Sequence, residues 1–193
     1  MRLNAVVNIR VPDILTGDLS GHARAVFRAG GDALRALRAE AVRKVRESRA
    51  IRAGAVRDAM FLSFPPSGAE NPTWRMYVSG RPLKVSAYPY RQTAAGVSVL
   101  IKTGSRAVIR HAFVATMPRS GHEGVFMRTG RFNTKPGRRG PVRREIIKEL
   151  FTTRITDVFK DPGFAEDALG RAMAVFERSY LRNLQIAIEQ KVK

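Results

Sequence analysis

The sequence predicts an α+β domain, with a central, mostly antiparallel sheet of about four to six strands packed by N-terminal and C-terminal helices. Two observations carry this expectation. Apolar residues recur every three or four positions over 18–61 and again over 145–192, the period of one helical face. Between 73 and 129 they recur at every second position, the period of a strand. Helices and strands are thus segregated along the chain rather than alternating as βαβ units. The length of 193 residues suits a single domain spanning 1–193 with one substantial core.

Residues 2–11 alternate loosely up to Pro12 and predict a short strand; residues 12–20, with Pro12, Gly17 and Ser20, predict a loop. From Gly21 to Ser48, Ala23, Val26, Phe27, Leu34, Leu37, Ala41 and Val45 define one helical face, with arginines opposite. The Gly30-Gly31 pair is expected to kink or interrupt this helix, with Asp32 capping a restart. A second short helix is expected over Ile51–Phe61, and Pro65-Pro66 and Asn71-Pro72 then break the chain.

Strands follow at Trp74–Val78, Leu83–Ala87, Gly96–Lys102, Ala107–Ala115 and Val125–Arg128, with Thr103-Gly104-Ser105 as a tight turn. Residues 130–144 hold Gly, Pro and six basic residues and predict an exposed basic loop. Ile147, Leu150, Phe151, Ile155, Val158 and Phe159 return to helical spacing. Asp161-Pro162 opens the last helix, about Phe164 to Val192, whose predicted inner face is Leu169, Met173, Phe176, Tyr180, Leu184 and Ile188.

Charge narrows the function classes. There are 35 Lys and Arg against 16 Asp and Glu, a net of +19, and the excess is concentrated: residues 61–144 carry 15 basic and 2 acidic side chains. Such a concentration repels itself, and a polyanion relieves it by exchanging condensed counterions for Lys and Arg. A solvated basic surface, or one paired with an acidic neighbour, is the alternative. With 44% hydrophobic residues the chain is too apolar for a disordered basic tail. No apolar run approaches a membrane span, and Met1–Val11 carries Arg2 and Arg10 and lacks a signal-peptide apolar region. The expectation is a soluble protein made in the cytoplasm, without membrane contact.

The chemical constellations of catalysis are thin. Without cysteine there are no disulfides, thiolate metal sites or Cys nucleophile, and three unpaired histidines (His22, His111, His122) leave little for zinc. Ser120-Gly121-His122-Glu123 places candidate nucleophile, base and acid side by side, but adjacent residues rarely converge on one reacting atom, and the glycine indicates a loop tip. His111 lies in an apolar strand and is expected to be a satisfied core or edge histidine. Neither a P-loop nor a Gly-x-Gly-x-x-Gly pattern occurs, so no cofactor and no enzymatic activity are expected. Trp74, Tyr77, Tyr88 and Tyr90 lie near Arg75, Arg81, Lys84 and Arg91 and are candidates for base stacking, though filling of the sheet core is the favoured reading. Flexible arginines follow phosphates without reading bases, which makes the basic loop the better candidate: Arg128, Arg131, Lys135, Arg138, Arg139, Arg143 and Arg144.

Gly-Val-Ser-Val-Leu-Ile (96–101), Ile-Arg-His-Ala-Phe-Val-Ala (109–115) and Gly-His-Glu-Gly-Val-Phe-Met-Arg (121–128), in this order, resemble the prophage minor tail protein Z family. The basic helix at Ala41–Arg52, Ile-Arg-Ala-Gly-Ala-Val-Arg (51–57) and Pro-Leu-Lys-Val (82–85) fit the same pattern, so the resemblance covers roughly 30–190. One segment departs from it: Pro141-Val142 is followed here by Arg143-Arg144-Glu145-Ile146. The resemblance implies a structural virion protein of a tailed phage, a minor tail or tail-completion protein at the head–tail junction. It would form a homo-oligomeric, six-fold ring around the DNA channel and meet connector, tail-tube or tape-measure proteins and nonspecific double-stranded DNA. Candidates for the subunit contacts of that ring are Phe113, Val125, Phe126, Phe176 and Tyr180. The rival expectation is a free, sequence-nonspecific nucleic-acid-binding protein. A toxin-type RNase is disfavoured by the missing acid–base constellation.

Overall fold

Twenty-nine residues of nearly unbroken 3.6-residue patterning form one helix, α1 (Ser20–Ser48), without the interruption expected at Gly30-Gly31. The computed structural model describes residues 5–10, 20–66, 69, 72–137, 140–160 and 162–192. Their α+β class is as predicted, but the strands are more numerous than four to six: eleven among the described residues, in four small antiparallel sheets rather than one central sheet. The chain folds as two compact units, one of Met1–Val45, Val56–Arg81 and Ile155–Lys193, the other of Arg46–Ala55 and Pro82–Arg154.

In the first unit, β1 (Ala5–Arg10) and β2 (Met60–Ser63) flank β3 (Thr73–Val78), both antiparallel to it. The expected alternation holds on β3: Trp74, Met76 and Val78 are buried while Arg75 and Tyr77 face outward. The predicted helix Ile51–Phe61 is shorter, α2 (Ala53–Asp58), because Met60 and Phe61 pair with Val78 and Tyr77 as strand residues instead. The Trp74 ring lies against Gly30, so the glycine that looked like a breaker makes room for an indole.

The last helix, α3 (Pro162–Val192), runs antiparallel to α1, as its contacts show: Glu40 meets Arg171, Asp32 meets Ser179 and Arg28 meets Asn183. Its buried side chains are Phe164, Ala168, Ala172, Ser179 and Asn183, not the predicted stripe. Met173 and Ile188, taken for inner residues, are exposed. Small residues win the inner face because α1 presents Ala25, Ala29 and Ala33, and two helices lined by small side chains approach closely. Gly21 and Ala187 mark that approach, since a Cβ on Gly21 would sit 3.1 Å from the Ala187 methyl.

In the second unit, β4 (Pro82–Lys84) pairs with β11 (Phe151–Arg154), β6 (Gly96–Lys102) lies between β5 (Tyr90–Thr93) and β7 (Ser105–Arg110), and β9 (Glu123–Gly137) lies between β8 (Ala112–Thr116) and β10 (Gly140–Glu149). Val85, Tyr88, Val97, Val99, Ala112, Val125 and Phe126 form its core. Backbone bonds from Leu150 to Val125 and from Val85 to Leu150 tie the sheets together.

Two expectations fail here. In the basic segment, residues 130–137 and 140–144 are not a loop but the greater part of a β-ribbon, with Pro136 opposite Pro141 so that both missing N–H groups fall at one pair. Residues 145–154 are strands rather than the start of a helix, and 155–160 form a 3-10 turn. The spacing over 147–159 read as helical, but pairing with β9 and β4 makes strand of the residues up to Arg154.

Candidate functional site

The charge is a property of one unit. The second unit holds 18 basic and 4 acidic residues, a net of +14, against +5 for the first. Two of its surfaces present that charge.

The first is the β-ribbon. Beyond Met127, β9 leaves β8 and pairs with β10 alone, through Gly137–Gly140 at the far end. Side chains from Arg128 to Pro136 and from Gly140 to Arg144 are exposed on both faces. By register, Lys135, Val142, Asn133 and Arg144 share one face, and Phe132, Thr134, Pro141 and Arg143 share the other. The Arg143 guanidinium lies 4.1 Å from the Phe132 ring centre. At Thr129–Arg131 the ribbon bulges, with Gly130 at φ 71°. Glu145 holds the bulge, accepting from Arg128 Nη1 at 2.8 Å and from the Gly130 N–H at 3.1 Å.

The expected lumen residues therefore divide. Arg131, Lys135, Arg143 and Arg144 are exposed on the ribbon. Arg128 is exposed too, but its charge is answered by Glu145 and its guanidinium lies 5.4 Å from the Phe113 ring centre, so it serves the ribbon's own structure. Arg138 and Arg139 lie outside the described residues. Of the subunit-contact candidates, Val125 and Phe126 are corrected outright: both are core residues of the second unit, buried because β9 is central between β8 and β10. Phe113 is half-buried against Phe126. Phe176 and Tyr180 stack on one another on α3, and the Tyr180 hydroxyl is bonded to His22 Nδ1 at 2.8 Å.

The second surface was missed. On the three-stranded sheet Arg91 pairs with Ser98 and Ser98 with Val108; Gly96 pairs with Arg110 and Leu100 with Arg106. Val97 and Val99 fill the buried side, so Arg91, Arg106, Val108 and Arg110 share the opposite, exposed side. None of the three arginines has a carboxylate partner among the described residues. Gly96 permits this register: at φ 144° its Cα approaches the Ile109 carbonyl, and any Cβ would fall closer than 3.0 Å to it. The sequence signal was present in Arg-Ala-Val-Ile-Arg (106–110), where the charges sit four apart and hence on one face of a strand.

The residues weighed for catalysis do not converge. Ser120 Oγ accepts from the His122 N–H at 3.3 Å, while Glu123 accepts from the Tyr90 hydroxyl. That bond, followed by burial and the Glu123 charge, holds the Tyr90 phenol above its ordinary pKa. His122 turns to Glu149: its Nε2 lies 2.7 Å from Glu149 Oε1 and 3.1 Å from Lys84 Nζ. One ring nitrogen cannot donate and accept at once, and the shorter distance makes Glu149 Oε1 the acceptor of an Nε2–H, with Lys84 Nζ 3.5 Å from the same oxygen. This cluster braces the base of the ribbon. His111 is in neither a core nor a strand; it is an exposed corner between β7 and β8 at φ 60°. Trp74 and Tyr88 are buried, as the core-filling reading has it, and are closed to bases.

No described helix is long and apolar enough to cross a membrane. The chain matches no protein-family model, no curated protein and no solved structure.

Proposed function

We propose that the chain is a non-enzymatic structural protein of a tailed-phage particle, a minor tail or tail-completion protein of the head–tail junction. Copies of it assemble into a ring around the DNA channel. Support comes from the ordered motifs over 96–128 and from the gathering of +14 in one unit. The observation that carries the reading is the β9–β10 ribbon. A two-stranded ribbon is marginal by itself in water, and this one buries neither face. A neighbouring copy, or the contents of a channel, supplies what it lacks.

Quantitative mass spectrometry of purified particles tests this. A fixed, low stoichiometry of about six copies per particle is expected for a ring at one junction. Absence from particles overturns the reading. It would favour the alternative of a free, sequence-nonspecific nucleic-acid-binding protein, supported by Arg91, Arg106 and Arg110, which have no carboxylate partner among the described residues.

A further inference from the structure

We infer that the exposed side of the β5–β6–β7 sheet, through Arg91, Arg106 and Arg110, is a binding face for the phosphate backbone of double-stranded DNA. This deepens the reading above by naming the surface that meets the polyanion, and it differs from the basic ribbon that the sequence suggested.

The three arginines are exposed on one side of a sheet whose other side is packed, so sheet geometry fixes their roots. Arg106 and Arg110 stand four residues apart on β7, about 13 Å along the strand, and Arg91 stands two strands away, about 10 Å across. Measured along the duplex axis, a span of about 13 Å passes about four phosphates of one strand. No carboxylate answers the three charges among the described residues, and the unit that carries them has a net of +14. The partner must therefore be strongly anionic and extended. Between the arginines lie Ser98, Leu100 and Val108 and no aromatic ring; Tyr90 pairs with Val99 on the packed side. A face without a stacking platform does not suit unpaired bases. Three arginines rooted about 10–13 Å apart, with no Asn or Gln beside them on this face, are spaced for successive phosphates rather than for the edges of one base pair. What remains is contact with phosphates, without sequence preference.

The test uses the full chain and a random-sequence 30-base-pair duplex, with affinity followed by fluorescence anisotropy from 50 to 200 mM salt. Wild type is expected to bind with a steep salt dependence. The triple variant R91Q/R106Q/R110Q is expected to lose about tenfold or more in affinity, and its log–log salt slope to fall by about 2.7, three contacts at about 0.9 each. The variant R91K/R106K/R110K is expected to keep most of the slope, since ammonium also contacts phosphate. Unchanged affinity and slope in the glutamine variant, with a wild-type-like circular dichroism spectrum, would overturn the inference. So would tighter binding to a single strand of the same length, or loss in the lysine variant equal to that in the glutamine variant. Failure of wild type to bind the duplex at 50 mM salt also overturns it. None of these outcomes touches particle stoichiometry, which tests the virion reading separately.

Discussion

Gly30 lies in the middle of α1 directly beneath the indole of Trp74: a Cβ at this position would come closer than 3.0 Å to three atoms of the ring. Glycine costs a helix interior about 1 kcal/mol against alanine. Here that cost accompanies the burial of the largest side chain in the core, and the helix continues without interruption to Ser48.

Replacing Gly30 by Ala is therefore expected to destabilise the protein by about 1–3 kcal/mol, because overpacking outweighs the propensity gain. Gly31→Ala is the internal control. Its Cβ would meet nothing nearer than Arg35 Nη1 at 3.5 Å, so a neutral or slightly stabilising effect is expected. Urea denaturation of both variants decides it; equal effects would show that the indole is not the constraint.

The Glu40 carboxylate is held below its ordinary pKa chiefly by hydrogen bonding to Arg43, aided by Arg171 and Lys44 and opposed by burial. A depressed folded-state pKa contributes stability that is present above the unfolded value and lost as pH falls through the folded one. Thermal melts should show wild type losing stability below about pH 4.3 more steeply than Glu40→Gln. Parallel curves for the two proteins would remove Glu40 from the account of acid sensitivity.

Glu145 is the residue that fixes the ribbon bulge, through Arg128 and the Gly130 N–H. Glu145→Gln keeps the shape but weakens a charge-assisted bond. Amide exchange at Gly130 and trypsin cleavage after Arg131 should accelerate. Global stability should stay within about 0.5 kcal/mol, since the site is on the surface. A melting shift with unaltered exchange at the bulge would place the role of Glu145 elsewhere.

Much of the fold was legible in one dimension. The α+β class, the strands at Trp74–Val78 and Gly96–Lys102 and the long terminal helix follow from periodicity, because a buried face imposes its period on the residues that form it. The charge concentration was legible too, since it needs only counting. Three things were decided by tertiary structure. Which face of α3 is buried depends on the small residues that α1 brings opposite it, a property of the pair and not of either helix. Whether 145–154 is helix or strand depends on the edges offered by β9 and β4, because a strand is completed only by its neighbour. And Arg91 joins Arg106 and Arg110 on one face only through the register of β5, β6 and β7, which places residues up to 19 positions apart side by side. The residues and their periods belong to the sequence; which of them meet is settled by packing, because hydrogen bonds and van der Waals contacts act across space without regard to position along the chain.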